Sequence, residues 1–167
     1  MVINPKVIVE VGVGPEGRST QLFLELCKHG IAGHLWSVDI DPETTRPAVE
    51  RINKLGLDKY WTFTVMDALE FTQNFDETIN LFYIDMNGRY LEKTQINEET
   101  HLEIFKAYGQ LMASNGVMSI NNTCVIDGCR KGLIRFTEET DWQCSFLRRY
   151  VGIAICKRTQ NIVLRER

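Results

Sequence analysis

The stretch VIVEVGVGPEGRST, residues 7–20, runs an apolar β-branched segment into Gly12-x-Gly14-x-x-Gly17 and then into Ser19-Thr20, where a helical pattern begins. In such a strand-loop-helix unit the first glycine turns the chain, the second lets a ligand approach bare backbone, and the third packs helix against strand. The helix that follows presents unpaired N–H groups carrying partial positive charge, and Ser19 or Thr20 can cap it. The glycine spacing alone does not separate a ligand cradle from a structural turn.

Outward from this stretch, further strand-like runs are expected at Leu35–Val38, Tyr60–Val65, Ile79–Ile84, Val117–Ile120, Trp142–Leu147 and Val151–Cys156. Helical periodicity predicts helices over Thr20–His29, Arg46–Leu55, Glu98–Ala113 and Cys129–Glu139, with a short turn over Phe71–Glu77. Strands alternating with helices imply right-handed crossovers and a parallel sheet covered on both faces. The last two strands are separated only by Arg148-Arg149-Tyr150, too few residues for a crossover, so they pair as an antiparallel hairpin. The expected fold is α/β: a Rossmann-like seven-stranded sheet, five strands parallel, closed by a C-terminal antiparallel hairpin. Residues 1–158 are read as one domain and 159–167 as a tail.

Composition is that of a globular chain: 167 residues, 44% hydrophobic and 25% charged. Lys and Arg number 19 against 22 Asp and Glu, a net charge of −3, which argues against a nucleic-acid partner. No apolar run approaches the roughly 20 residues that span a bilayer, and the N-terminus lacks signal-peptide character, so no membrane partner is expected. The five cysteines, Cys27, Cys124, Cys129, Cys144 and Cys156, are odd in number and hold no C-x-x-C pair. They are expected to be small buried apolar side chains in a reducing cytoplasm rather than a disulfide framework or zinc knuckle.

Three carboxylates converge on the loop. Glu10 is expected at the mouth of the first strand, where it would repel a pyrophosphate and attract an amine. Asp39 ends the second strand, 22 residues past Gly17, where a carboxylate grips ribose hydroxyls. Asp67 ends the third, beside where a base would lie. Asp41 also suits an N-cap before Pro42, and Asp67 a cap of the following turn. Together the acids favour a cationic nucleoside. S-adenosylmethionine carries an ammonium and a sulfonium, whereas NAD lacks the ammonium and adds two phosphates.

In these residues the chain resembles the class I S-adenosylmethionine-dependent methyltransferases, nearest the small-molecule O-methyltransferase branch. The motifs are Glu10-Val11-Gly12-Val13-Gly14-Pro15-Glu16-Gly17-Arg18-Ser19-Thr20, Ser37-Val38-Asp39-Ile40-Asp41-Pro42, Met66-Asp67-Ala68-Leu69-Glu70 and Ile79-Asn80-Leu81-Phe82-Tyr83-Ile84-Asp85. The resemblance implies that Glu10 faces the methionine amine, that Gly12, Val13, Gly14, Ser19 and Thr20 line the methionine and adenosine, and that Asp39 and Ile40 hold the ribose. It further implies that Asp67 and Ala68 meet the adenine and that Asp85 closes the cofactor site. Asp85 as base, Tyr90 shaping the pocket and Asn122 orienting the acceptor form the implied catalytic set.

The chain departs from the family after strand four, where Ile84-Asp85-Met86-Asn87-Gly88-Arg89-Tyr90 keeps the Asp and Tyr but lacks the His of I-D-G-x-H-x-Y. Metal-dependent relatives hold a divalent ion with the strand-four Asp and an Asp-Asn pair after strand five. Here that pair is Asn121-Asn122, so Asp85, Asn121 and Asn122 make only a weak magnesium or calcium site, and no metal is favoured. Relatives also carry an N-terminal segment over the substrate, whereas strand one starts near this chain's first residue; the acceptor site is expected to be open or completed by a second copy in a homodimer. The expected function is methylation of a small-molecule acceptor. The alternatives are a non-catalytic S-adenosylmethionine-binding module or partner subunit, and, less favoured, an NAD-dependent oxidoreductase. His29, His34 and His101 have no motif context and are expected in surface or capping roles.

Overall fold

The computed structural model describes residues 4–86, 97–147 and 151–159. Its elements, in chain order, are β1 (Val7–Val11), α1 (Arg18–Lys28), β2 (His34–Asp39), α2 (Pro42–Lys54), β3 (Trp61–Val65), α3 (Ala68–Gln73) and β4 (Ile79–Ile84), followed by α4 (Glu98–Leu111), β5 (Met112–Asn121), α5 (Asp127–Glu139), β6 (Trp142–Leu147) and β7 (Ile153–Arg158). The strands form one seven-stranded sheet in the order β3-β2-β1-β4-β5-β7-β6. The first five are parallel, and β7 runs antiparallel between β5 and β6. This is the expected sheet. Its strand order reverses between β1 and β4, which opens a crevice beyond their carboxyl ends.

β1 lies at the centre of the parallel region and is buried throughout, as a strand covered on both faces must be. One face packs Ile8, Leu24, Leu35, Ile52 and Leu57 beneath α1 and α2. The other packs Val9, Phe82, Phe105, Tyr108, Met118 and Phe136 beneath α3, α4 and α5. Phe82 and Tyr108 stack with ring centroids 4.2 Å apart, and the Tyr108 hydroxyl donates to the Ala68 carbonyl at 3.0 Å. That bond ties α4 to the start of α3, on the rim of the crevice.

Element ends differ from the sequence reading where caps, not periodicity, decide them. α2 starts at Pro42 rather than Arg46: the Asp41 side chain accepts from the N–H groups of Glu43 and Thr44, and Pro42 supplies a preset first turn. α3 starts at Ala68 rather than Phe71, because Asp67 accepts from the N–H groups of Leu69 and Glu70. α4 stops at Leu111, since Met112 turns extended and begins a β5 that is longer than expected. β7 lies at Ile153–Arg158, two residues later than its expected position. Residues 148–150, between β6 and β7, and the tail beyond Thr159 lie outside the described residues.

The cysteine expectation is corrected. Cys144 and Cys156 are direct partners across the β6–β7 ladder, with Cα atoms 4.0 Å apart, and are joined as a disulfide. The cross-strand register brings together two residues whose sequence spacing gave no sign of pairing. Cys27 and Cys129 are free and buried, as expected, whereas Cys124 is free and exposed. Among the described residues no helix is long and apolar enough to cross a membrane.

Candidate functional site

The crevice beyond β1, β2, β3 and β4 is a cleft of about 1300 Å³. Its floor is the glycine loop from Gly12 to Ser19. Asp39, Ile40, Met66, Asp67 and Ala68 line one side, and Tyr83, Asp85, Met86, Thr100 and Ile104 line the other.

The loop is held by both flanking strands. The Gly12 N–H donates to the Val38 carbonyl at 2.9 Å, and the Asp85 N–H donates to the Val11 carbonyl at 2.9 Å. A Cβ on Gly12 would lie 2.3 Å from the Asp85 carbonyl oxygen, whereas one on Gly14 would meet nothing within 4 Å. At Gly14 the bare backbone therefore faces open space, as a ligand-approach glycine requires. Asp39 fastens the loop from above. Its Oδ2 accepts from the N–H groups of Val13 at 2.9 Å and Gly14 at 3.3 Å, while its Oδ1 accepts from the Asp41 N–H at 3.0 Å. The loop N–H groups that a pyrophosphate would need are thus already satisfied by a carboxylate.

Ser19 and Thr20 do not cap α1. The helix begins at Arg18 from Gly17, without a side-chain cap, and the two hydroxyls point inward. Ser19 Oγ donates to Glu10 Oε1 at 2.6 Å; Thr20 Oγ1 and Ser37 Oγ donate to Oε2 at 2.7 and 2.8 Å. Glu10 is fully buried, which corrects its expected place at the open mouth of β1. The reason is register: Ser37 on β2 and Tyr83 on β4 are the direct neighbours of Glu10 and share its face of the sheet. Burial pushes the Glu10 carboxyl up from its ordinary 4.5 to about 7. The three hydroxyls pull the other way, and the charge of Asp85 adds to the rise.

Asp85 is half-buried at the end of β4 and accepts from Asn122 Nδ2 at 2.5 Å. Asn122 is buried and is the one non-glycine residue with positive φ among the described residues, at 64°. Such a backbone persists where its surroundings hold it, and here the side-chain bond to Asp85 is one of the holds. The implied metal set of Asp85, Asn121 and Asn122 does not fit a divalent ion. It offers one carboxylate, and that carboxylate is engaged by an amide donor rather than flanked by a second anionic oxygen. No group of three or more His, Cys, Asp or Glu able to hold a metal occurs among the described residues. Tyr90 lies outside the described residues.

Several contributors are given no role by the sequence motifs. Tyr83 is half-buried between Ser19 and Asp85, and burial, with the charges of Asp85 and Glu10, holds its phenol above the ordinary range, so it stays neutral. Trp61 on β3 donates to Ser37 Oγ at 2.9 Å, extending the Glu10 network across the sheet. Arg51 of α2 reaches the Glu16 carbonyl and braces the outer loop. The only sequence signal for Tyr83 is its position two residues before Asp85 in β4. Of the histidines, His34 bonds Thr62, while His101 is buried against the Asn97 carbonyl rather than at the surface.

Comparison with known proteins matches residues 9–123 to a family described as a methyltransferase domain. The chain belongs to that family. The matched span of this methyltransferase domain contains the glycine loop, Asp39, Asp67, Asp85 and Asn122, and together with the strand order it bears out the class I methyltransferase resemblance. In fold the domain is similar to the SAH-bound methyltransferase PaMTH1 of Podospora anserina, with 15% identity, a TM-score of 0.74, and 93% of this chain and 73% of that one covered. It is also similar to the O-methyltransferase TomG of Streptomyces achromogenes, solved in complex with SAM, with 16% identity, a TM-score of 0.69, and 94% and 74% covered. An rRNA methylase of Streptococcus thermophilus shares the fold as well, with 11% identity, a TM-score of 0.72, and 95% and 90% covered. A comparison with curated proteins finds none that matches.

Proposed function

We propose that the protein is an S-adenosylmethionine-dependent methyltransferase that methylates an oxygen of a small molecule. The observation that carries this reading is the cleft itself: the open backbone at Gly14 lies beneath Asp39, with Asp67 and Ala68 beside it and Asp85 across from them. The donor set fits a cationic nucleoside. Asp39 is placed for ribose hydroxyls, Ile40 and Val13 offer apolar walls, Ala68 and Asp67 border the base position, and Ser19 carries the influence of Glu10 to the amine end. Two relatives in fold are bound to SAH or SAM, which supports the same occupant.

S-adenosylmethionine supplies an electrophilic methyl group on a sulfonium. The protein's share is alignment and exclusion of water. In this reading Asp85 accepts the hydrogen bond, and then the proton, of the acceptor hydroxyl; Asn122 keeps the carboxylate in place, and Met86 and Ile104 shield the site. Tyr90 is assigned to the acceptor side on the family motif alone.

The rRNA methylase among the fold relatives raises the other reading, a nucleic-acid acceptor. The cleft wall argues for a small molecule instead. It carries Glu16, Asp39, Asp41, Glu43, Asp67 and Asp85 against Arg18, which is itself paired with Glu16 at 2.5 Å, and a phosphate backbone binds through the opposite charge. The nicotinamide alternative is disfavoured by the same wall and by the occupied loop N–H groups.

Calorimetric titration with S-adenosylmethionine tests the reading. Asp39→Ala is expected to weaken binding roughly tenfold to a hundredfold, the worth of a charge-assisted hydrogen bond of about 1.5–3 kcal/mol. Unchanged affinity would falsify the ribose role. A screen of phenols, catechols, sugars and amines with labelled methyl donor then separates an enzyme from a binding-only module, because turnover of any acceptor excludes the latter.

A further inference from the structure

Glu10 is the most deeply buried acid of the site, and Ser19, its hydrogen-bond partner, and Tyr83, its neighbour on β4, stand between it and the cleft. The Ser19 side chain lies on the cleft wall and donates at 2.6 Å to Oε1, the carboxyl oxygen that takes one hydroxyl where Oε2 takes two. The groups packed against the carboxyl from α1, β2 and β4 are hydroxyls: Ser19, Thr20, Ser37 and Tyr83. The charge that acts on it comes from Asp85, and it is negative. The carboxyl is thus solvated by neutral dipoles and faces a like charge. A positive ligand group resting on Ser19 would supply the missing countercharge.

We propose that Glu10 gives up a proton when a cationic ligand seats in the cleft, so that ligand charge is read by a buried carboxyl one hydrogen bond behind the wall. The proposal rests on the S-adenosylmethionine reading above. The exchange balances simply: the neutral carboxylic acid and the cationic ligand become a carboxylate facing the bound cation, and the proton passes to buffer. Without ligand, burial keeps Glu10 partly protonated around neutrality. A nearby cation lowers its proton affinity by the same electrostatics that Asp85 uses to raise it. Because binding and proton release are linked, affinity for the cation falls as the solution is acidified, while affinity for an uncharged nucleoside does not. Glu10 then acts as a selector for charge, separate from Asp39, which grips the ribose of charged and uncharged nucleosides alike.

The test is calorimetric titration of the whole chain near pH 6 and near pH 7.5, each in two buffers of different ionisation enthalpy, with S-adenosylmethionine and with adenosine as probes. The expected result near pH 6 is release of close to one proton with S-adenosylmethionine and none with adenosine, and an affinity for S-adenosylmethionine that rises close to tenfold by pH 7.5. In Glu10→Gln the proton release and the pH dependence should both disappear. Binding of S-adenosylmethionine without proton exchange overturns the proposal, as does equal release from Glu10→Gln. Should that variant not fold, the contrast between the two probes on the unaltered protein decides the matter. Failure of S-adenosylmethionine to bind at all fells the functional reading, and this one with it.

Discussion

Gly12→Ala is expected to abolish ligand binding and to cost about 2–5 kcal/mol of stability. Gly12 sits at φ 89°, where an L side chain is strained, and its added Cβ would lie 2.3 Å from the Asp85 carbonyl oxygen and 2.9 Å from the carbonyl carbon. These are backbone atoms at the end of a central strand, so no rotamer relieves the contact. Either Gly12 leaves the Val38 carbonyl, or β4 shifts against β1 and Asp85 leaves the Val11 carbonyl. Overpacking of about 1–3 kcal/mol and a positive-φ penalty of about 1–2 kcal/mol act together here. Gly14→Ala is the internal control: with no atom within 4 Å it should cost only about 1 kcal/mol of stability, from its φ of 62°. Denaturant unfolding and ligand titration of the two variants check this. A Gly12→Ala protein as stable as the parent would mean that β1 and β4 do not approach as described.

The second large effect is the pH dependence of stability set by Glu10. Its folded-state value of about 7 stands above the ordinary 4.5, so the folded protein holds a proton that the unfolded chain has already lost across that interval. Stability from this group is therefore fully present below about pH 4.5 and is lost as the pH rises through about 7. The total is about 3 kcal/mol, at about 1.4 kcal/mol per pH unit. Glu10→Gln removes the buried charge while keeping a side-chain oxygen for Thr20 and Ser37 and an amide that Ser19 can accept. The variant should be the more stable protein at pH 8 and should lose the downward slope between pH 5 and 7. Thermal unfolding across that range measures it, and a parent whose slope matches the variant's would show that Glu10 is not buried in a protonatable state.

Both predictions depend on facts of different legibility. The glycine spacing, the apolar alternation of β1 and β4 and the order of Asp39, Asp67 and Asp85 are local, and each could be read residue by residue. Periodicity reports which face of an element is buried, and carboxylates at strand ends are brought to one edge by any parallel sheet. Helix ends were less legible because Asp41 and Asp67 set them through side-chain caps, and a capping Asp looks the same in sequence as a ligand-binding one.

By itself the sequence determined the parallel sheet with its closing hairpin, and the gathering of carboxylates around a glycine loop. Tertiary structure alone decided that Glu10 is sealed behind that loop, that Ser19 and Thr20 serve it rather than the helix end, that Asn122 holds Asp85, and that Cys144 meets Cys156. The physical reason is register: which residues stand opposite one another across adjacent strands depends on how the whole sheet packs, and no single strand's pattern encodes its neighbours' alignment.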